Sequence, residues 1–197
     1  MCAFHHEPTN NGMALKATIF KTDLQISDMD RQYYAEHALT VARHPSETDE
    51  RMLVRVLAFA LYAREALVFG KGLSADDEPD LWQKDMTGAI ELWIDAGLPD
   101  EKRIRKACGR AAQVVIFSYG GRVADLWWEQ NGGALKRLDK LTIVNLSVAD
   151  SAALVGLLRR DGQRNLQLQC LIQDGQIWLS NESERIEIQP QQLKIAS

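Results

Sequence analysis

The chain has 197 residues, 46% of them hydrophobic and 25% charged, with a formal net charge of −4. That size and balance point to one globular unit and exclude a long disordered protein, and no apolar run approaches the roughly 20 residues of a membrane span. A net negative charge argues against a dedicated non-specific nucleic-acid binder, which gains its affinity by neutralising phosphates, so any such contact must use a local basic patch.

Residues 1–12 are polar, and a second start-like methionine follows at Met13. They are read as an extension to a single domain over 13–197, in which Cys2, His5 and His6 are incidental rather than ligands. The segment lacks the apolar core of a secretory signal, and the cytoplasm is the expected location. Cys2, Cys108 and Cys170 match neither a disulfide framework nor a zinc spacing, so reduced thiols are expected.

Leu15 to Ile26 predicts a strand, Ser27–Asp30 a turn, and the alternation of Tyr33, Ala35, His37, Leu39 and Val41 a second strand. His37 falls on the apolar side, as a satisfied half-buried histidine does. A helix over 46–64 starts at Pro45-Ser46, with Ser46 and Asp49 as a variant capping box and Leu53, Val54, Leu57, Ala60 and Leu61 as its apolar face. Strands are expected at 67–69, 79–84 and 89–95, then a helix over 100–112 and a buried strand over 114–118. A helix carries Trp127 and Trp128, read as core rather than as an interaction surface. A strand over 141–146 and a helix over 149–159 follow. Leu166 to Ile172, the Asp174-Gly175 turn and Ile177–Leu179 predict a hairpin, and Ile186 and Ile188 a last strand.

The middle of the chain thus runs helix, three strands, helix, strand, and acids fall at telling places within it. Glu50 shares a helix face with Leu53, Leu57 and Leu61 at about 100° per residue, and Glu47 lies on the same side. Two readings stand: carboxylates that face a cation, or acids favoured by the positive end of the helix. Pro79-Asp80 is followed eleven positions later by Glu91, in an apolar strand whose parity puts Glu91, Trp93 and Asp95 on one face. Either these acids meet a cation, with Asp80, Glu91, Glu50 and Glu47 as hard oxygen ligands for Mg²⁺ or Mn²⁺, or they point to solvent and pair with arginines of the next helix. That helix offers Lys102, Arg103, Lys106 and Arg110 on one side, a phosphate-binding stripe or a solvated basic face. Ser46, beside His44, reads as a helix cap rather than a nucleophile. No Walker loop, Gly-x-Ser-x-Gly or zinc spacing suggests another enzyme class.

Several stretches resemble the YaeQ family: Met13–Ile19, Ala42–Met52, Leu73–Pro79 through Glu91–Ile94 to Gly97–Glu101, Lys106-Ala107, and Gln173–Ser180. The resemblance implies a variation on the restriction-endonuclease-like PD-(D/E)XK fold: a mixed central sheet flanked by helices, with added N-terminal and C-terminal β-hairpins. It implies a site of Asp80, Glu91 and a helix glutamate, Glu50 or Glu47. The lysine that usually stands two residues after the second acid is replaced by Trp93, and Lys84, Lys102 or Lys106 would have to supply the amine. Two functions follow as expectations. One is Mg²⁺- or Mn²⁺-dependent phosphodiester hydrolysis of nucleic acid, with Asp80, Glu91, Glu50, Lys102 and Lys106 catalytic. The other is a non-catalytic regulatory protein on the same scaffold, binding nucleic acid or a protein partner, with no membrane association.

Overall fold

The computed structural model describes residues 16–71, 77–158 and 164–196. The extension 1–12, the Leu15 start of the first strand, the stretch 73–76 and the Arg159 end of the last helix lie outside them.

The first expected hairpin is present as β1 (Thr18–Asp28) and β2 (Tyr33–Arg43), paired antiparallel without a break from Thr18↔Arg43 to Asp28↔Tyr33. Strict alternation drives it: Phe20, Leu24 and Ile26 are buried, while Lys21, Asp23 and Gln25 face solvent. The C-terminal hairpin is β8 (Asn165–Gln173) and β9 (Gln176–Ser180), followed by β10 (Arg185–Ile188). These two hairpins are not appendages to a central sheet. β8 runs parallel to β1, so the five strands form a sheet of their own in the order β10-β9-β8-β1-β2.

The second sheet is mixed and has six strands, in the order β11-β7-β6-β5-β4-β3: β3 (Leu67–Phe69), β4 (Leu81–Lys84), β5 (Ile90–Ala96), β6 (Ala111–Ser118), β7 (Leu141–Asn145) and β11 (Gln191–Lys194). β3, β4 and β5 form an antiparallel meander, while β5, β6 and β7 run parallel. Parallel neighbours need crossovers, which α2 (Glu101–Arg110) and α3 (Arg122–Leu135) supply. The polar strand β11 has no apolar period and is not foreshadowed in the sequence.

Two cores result. α1 (Asp49–Tyr62) and α4 (Val148–Gly156) pack into one core with the inner face of the five-stranded sheet and with Leu92, Ile94, Val115 and Phe117 of the other. On the far face of the six-stranded sheet, Trp93, Val114, Ile116 and Ile143 pack with Ile104, Ala107 and Trp127 of α2 and α3. Trp127 is buried, and its indole N–H donates to the Pro99 carbonyl at 2.9 Å, so it is core as expected. His37 is half-buried against Phe59, 2.9 Å from the Tyr33 hydroxyl. Among the described residues, no helix is long and apolar enough to cross a membrane.

Candidate functional site, a buried arginine–carboxylate network

α1 begins one turn later than the sequence suggests. Thr48, not Ser46, is its N-cap and accepts from the Arg51 N–H at 3.2 Å. Ser46 turns back to His44, with Oγ and Nδ1 2.6 Å apart. Glu47 therefore lies before the helix, and its side chain folds under the first turn instead of pointing along a helical face. There it is buried, whereas Glu50 is only half-buried and has no hydrogen-bond or ion-pair partner among the described residues.

Burying Glu47 is tolerable because two arginines meet it. Arg55, 1% exposed in the middle of the otherwise apolar run Met52–Ala60, donates from Nε to Oε1 at 2.8 Å and from Nη2 to Oε2 at 2.9 Å. Its Nη2 also reaches the Ala42 carbonyl at the end of β2, at 2.9 Å. Arg51, one turn earlier, donates from Nη1 to Glu47 Oε1 at 2.9 Å and from Nη2 to both oxygens of Asp80 at 2.8 Å.

Asp80 stands immediately before β4. Gly70 brings it there: its N–H donates to the Asp80 carbonyl at 2.8 Å, and a Cβ at residue 70 would overlap the Pro79 carbonyl oxygen. Since Leu81 pairs with Ile94, the acid next to Asp80 across the ladder is Asp95. The Asp80 N–H donates to Asp95 Oδ1 at 3.3 Å, and the Ala96 N–H donates to Asp80 Oδ2 at 2.8 Å. Asp95 is held from α2 by Arg103, whose Nε and Nη2 donate to its two oxygens, each at 2.9 Å. The Trp93 indole N–H adds a fourth bond to Asp95 at 3.0 Å. Trp93, in the place of the expected lysine, thus helps to hold a carboxylate.

Glu91 is elsewhere. Gln83 pairs with Leu92 but Lys84 pairs with Ile90, so Glu91 is the extra residue of a β-bulge. The bulge breaks the parity that groups Glu91 with Trp93 and Asp95. Glu91 is exposed, accepts from Gln83, and lies four residues, about 13 Å of strand, from Asp95. The structure therefore gathers Asp80, Glu47 and Asp95, and it leaves Glu91 and Glu50 outside the network. Among the described residues, no three Asp, Glu, His or Cys side chains are grouped so that they could hold a metal ion.

The basic helix is largely committed as well. Arg103 serves Asp95 and the Glu78 carbonyl, Lys106 pairs with Asp77, and Arg110 donates to the Asp77 carbonyl at 3.0 Å while lying over Trp93. Lys102 is exposed and has no partner among the described residues. Two surface cavities, of about 420 and 530 Å³, open around Asp23, Gln167 and Glu182, and no network residue lines either of them.

Electrostatics follow from burial. Loss of water pushes the Asp80 carboxyl up, against the pull of Arg51 and the Ala96 N–H. Burial opposes the charge of Arg51, but Asp80 and Glu47 outweigh it and hold the guanidinium above its usual range. Hydrogen bonding to Asp95 does the same for Arg103. Tyr119, at the end of β6 near these groups, is pushed up to about 12 by burial, with Arg51 opposing and Glu50 adding to the shift.

The family model described as YaeQ protein matches residues 13–190. The chain belongs to the YaeQ family. It is 45% identical over 176 residues to the YaeQ protein of Escherichia coli strain K12, spanning 89% of this chain and 95% of that one. It is 46% identical over 177 residues to YaeQ of Salmonella typhi, spanning 90% and 96%. Solved structures agree: YaeQ of Xanthomonas axonopodis pv. citri superposes with a TM-score of 0.85 at 47% identity, covering 90% of this chain and 98% of that one. YaeQ of Pseudomonas syringae gives 0.83 at 34%, covering 91% and 97%. The mixed α/β architecture with two sheets is thus that of solved YaeQ proteins.

The sequence named Asp80 and Glu47 and left Asp95 either facing a cation or pointing to solvent and paired with an arginine of the next helix; Asp95 is buried, and Arg103 of that helix pairs with it, whereas Arg51 and Arg55 were not used. The signal was present in Arg55, a lone arginine in the run Met52–Ala60, which must find an acid if the run is buried.

Arg55→Ala leaves the buried Glu47 carboxylate with only Arg51 Nη1 and the His44 N–H and is expected to cost about 3–5 kcal/mol in urea unfolding. Arg105→Ala, which removes an exposed α2 pair with Glu101, is expected to change stability by no more than about 1 kcal/mol. Equal effects would contradict the network. Raising the Tyr119 pKa also has a sign: the folded state keeps a proton that the unfolded state gives up, so its contribution is complete below pH 10 and is lost as pH rises towards 12. Alkaline ultraviolet titration should show a phenol phase near pH 12 that Tyr119→Phe removes; an unchanged titration curve in that variant would contradict the assignment.

Proposed function

We propose that the chain is a protein-binding regulator on a nuclease-like scaffold, and that it does not hydrolyse phosphodiesters. The scaffold reading rests on element order: α1, the β3-β4-β5 meander, α2 and β6 follow the helix-strand-strand-strand-helix-strand course of the PD-(D/E)XK core. Asp80 at the start of β4 and Asp95 opposite it on β5 occupy the places of the two motif acids. With Asp95 in that role, the lysine position two residues on falls at Gly97.

One observation carries the functional reading. All six carboxylate oxygens of Glu47, Asp80 and Asp95 are already engaged by Arg51, Arg55, Arg103, the Trp93 indole and backbone N–H groups. Three acids balanced by three guanidinium groups need no further charge. A divalent cation would leave two surplus positive charges in a buried cleft and would have to displace bidentate arginine pairs. The donor set therefore does not suit Mg²⁺ or Mn²⁺.

The choice of a protein over nucleic acid rests on what remains free. The cations of α2 are mostly bound to the segment 77–78 or to Asp95. At the C-terminal ends of the parallel strands, where open α/β sheets bind their ligands, the exposed groups include large apolar side chains among Arg122, Asp125 and Ser147. Val123 and Leu126 lie one turn apart on α3, and Val148 starts α4, where its side chain meets Gly121.

Labelled single- and double-stranded DNA and RNA, incubated with the protein and Mg²⁺ or Mn²⁺, are expected to stay intact, and oligonucleotide binding is expected to vanish at physiological salt. Metal-dependent cleavage that Asp80→Asn abolishes would overturn the proposal.

A further inference from the structure

The two sheets have four outer edges, β2 and β10 in one and β3 and β11 in the other. Three are blunted. β3 has 3 residues, β10 has 4, and β11 has 4 with an irregular register. β2 differs: it has 11 residues and pairs with β1 without a bulge. It also contains no proline and no lysine. Natural sheets use such devices to stop edges from pairing with other chains, and a long regular edge without them is a template for another strand. Outside the β1 ladder, the only hydrogen bond among the described residues that ties the β2 backbone is that of Arg55 to the Ala42 carbonyl.

We infer that this edge is the interface of a homodimer, in which the β2 strands of two copies pair antiparallel about Ala38 and join two five-stranded sheets into one.

The register follows from the strand itself. Edge groups point outward on alternate residues, so an antiparallel partner must oppose residues of like parity. A two-fold axis through Ala38 meets that condition and uses the whole strand, Tyr33 to Arg43. On the solvent face Tyr34 opposes Ala42, Glu36 opposes Thr40, and Ala38 opposes its own copy. On the other face Tyr33 opposes Arg43, Ala35 opposes Val41, and His37 opposes Leu39. No like charges confront each other.

Charge then favours a second copy of this chain. Thr40 has Lys21 beside it on its own β1. Glu36 of one copy, opposite Thr40 of the other, therefore lies two strands, about 9.6 Å, from that Lys21, a span the two long side chains bridge over Thr40, and the symmetry makes this approach twice. Lys21 is exposed, and its ammonium has no partner among the described residues.

Sedimentation velocity of the full chain over a wide concentration range is expected to reveal a species of twice the 22.2 kDa chain mass. Ala38→Lys sets two ammonium groups face to face on the axis, at an exposed position the monomer tolerates, and should weaken dimerisation at least about tenfold. Glu36→Lys should weaken it through repulsion by Lys21, and the swap Glu36→Lys with Lys21→Glu should return it to within about threefold of the parent. Thermal melts at low concentration verify that each variant folds. A single-chain mass at every concentration, an Ala38→Lys variant that dimerises like the parent, or a swap that fails to rescue would each overturn the inference.

Discussion

The Arg55–Glu47 pair is the contact on which the rest of the architecture leans. Both side chains are 1% exposed, and neither can be left alone at that depth without a cost of several kcal/mol. Each therefore fixes the other's surroundings. Arg55 needs the Glu47 turn folded beneath α1 and takes the Ala42 carbonyl from the end of β2. Glu47 takes Arg51 as well, and Arg51 then reaches Asp80 at the start of β4. Asp80 and Asp95 share backbone bonds across the β4–β5 ladder, and Arg103 closes the far end from α2. One chain of charge-assisted bonds thus runs from the five-stranded sheet, through α1, to the helix on the far face of the six-stranded sheet.

That continuity has a chemical consequence. Acids that gather in a cleft are reactive when something mobile, a proton or a metal ion, must balance them. Here the balance is covalently part of the fold. Guanidinium groups stay charged at every ordinary pH and match carboxylates in a planar fork, so they neutralise without offering an exchangeable site. The same pairing gives Trp93 its place: its indole is one more donor to Asp95, inside a core with Ile104 and Ala107.

Much of this architecture is legible in the residues. Period-two alternation marks β1, β2 and β8, and the apolar stripe of Leu53, Val54 and Leu57 marks α1. Local pattern fails where partners are distant: nothing in either segment reveals that β8 lies parallel to β1, which turns two hairpins into a second sheet. β11, with Gln191, Gln192 and Lys194 among its residues, has too little apolar content to be seen. In the site, Asp80 was readable from Pro79-Asp80. Glu91 misled because a bulge, a property of pairing with Gln83 and Lys84 and not of β5 alone, shifts the parity before Leu92. Glu50 misled because the helix starts at Thr48, which places Glu47 in the preceding turn and lets it fold inward.

Arginine side-chain NMR in the presence of Mn²⁺ addresses the central claim most directly, since it observes the guanidinium groups themselves. The Nε–H signals of Arg55 and Arg103 should be sharp, slow to exchange, and unchanged when one equivalent of the paramagnetic ion is added. Their disappearance by broadening at that ratio, with Arg105 unaffected, would place a metal ion among the carboxylates and contradict the account.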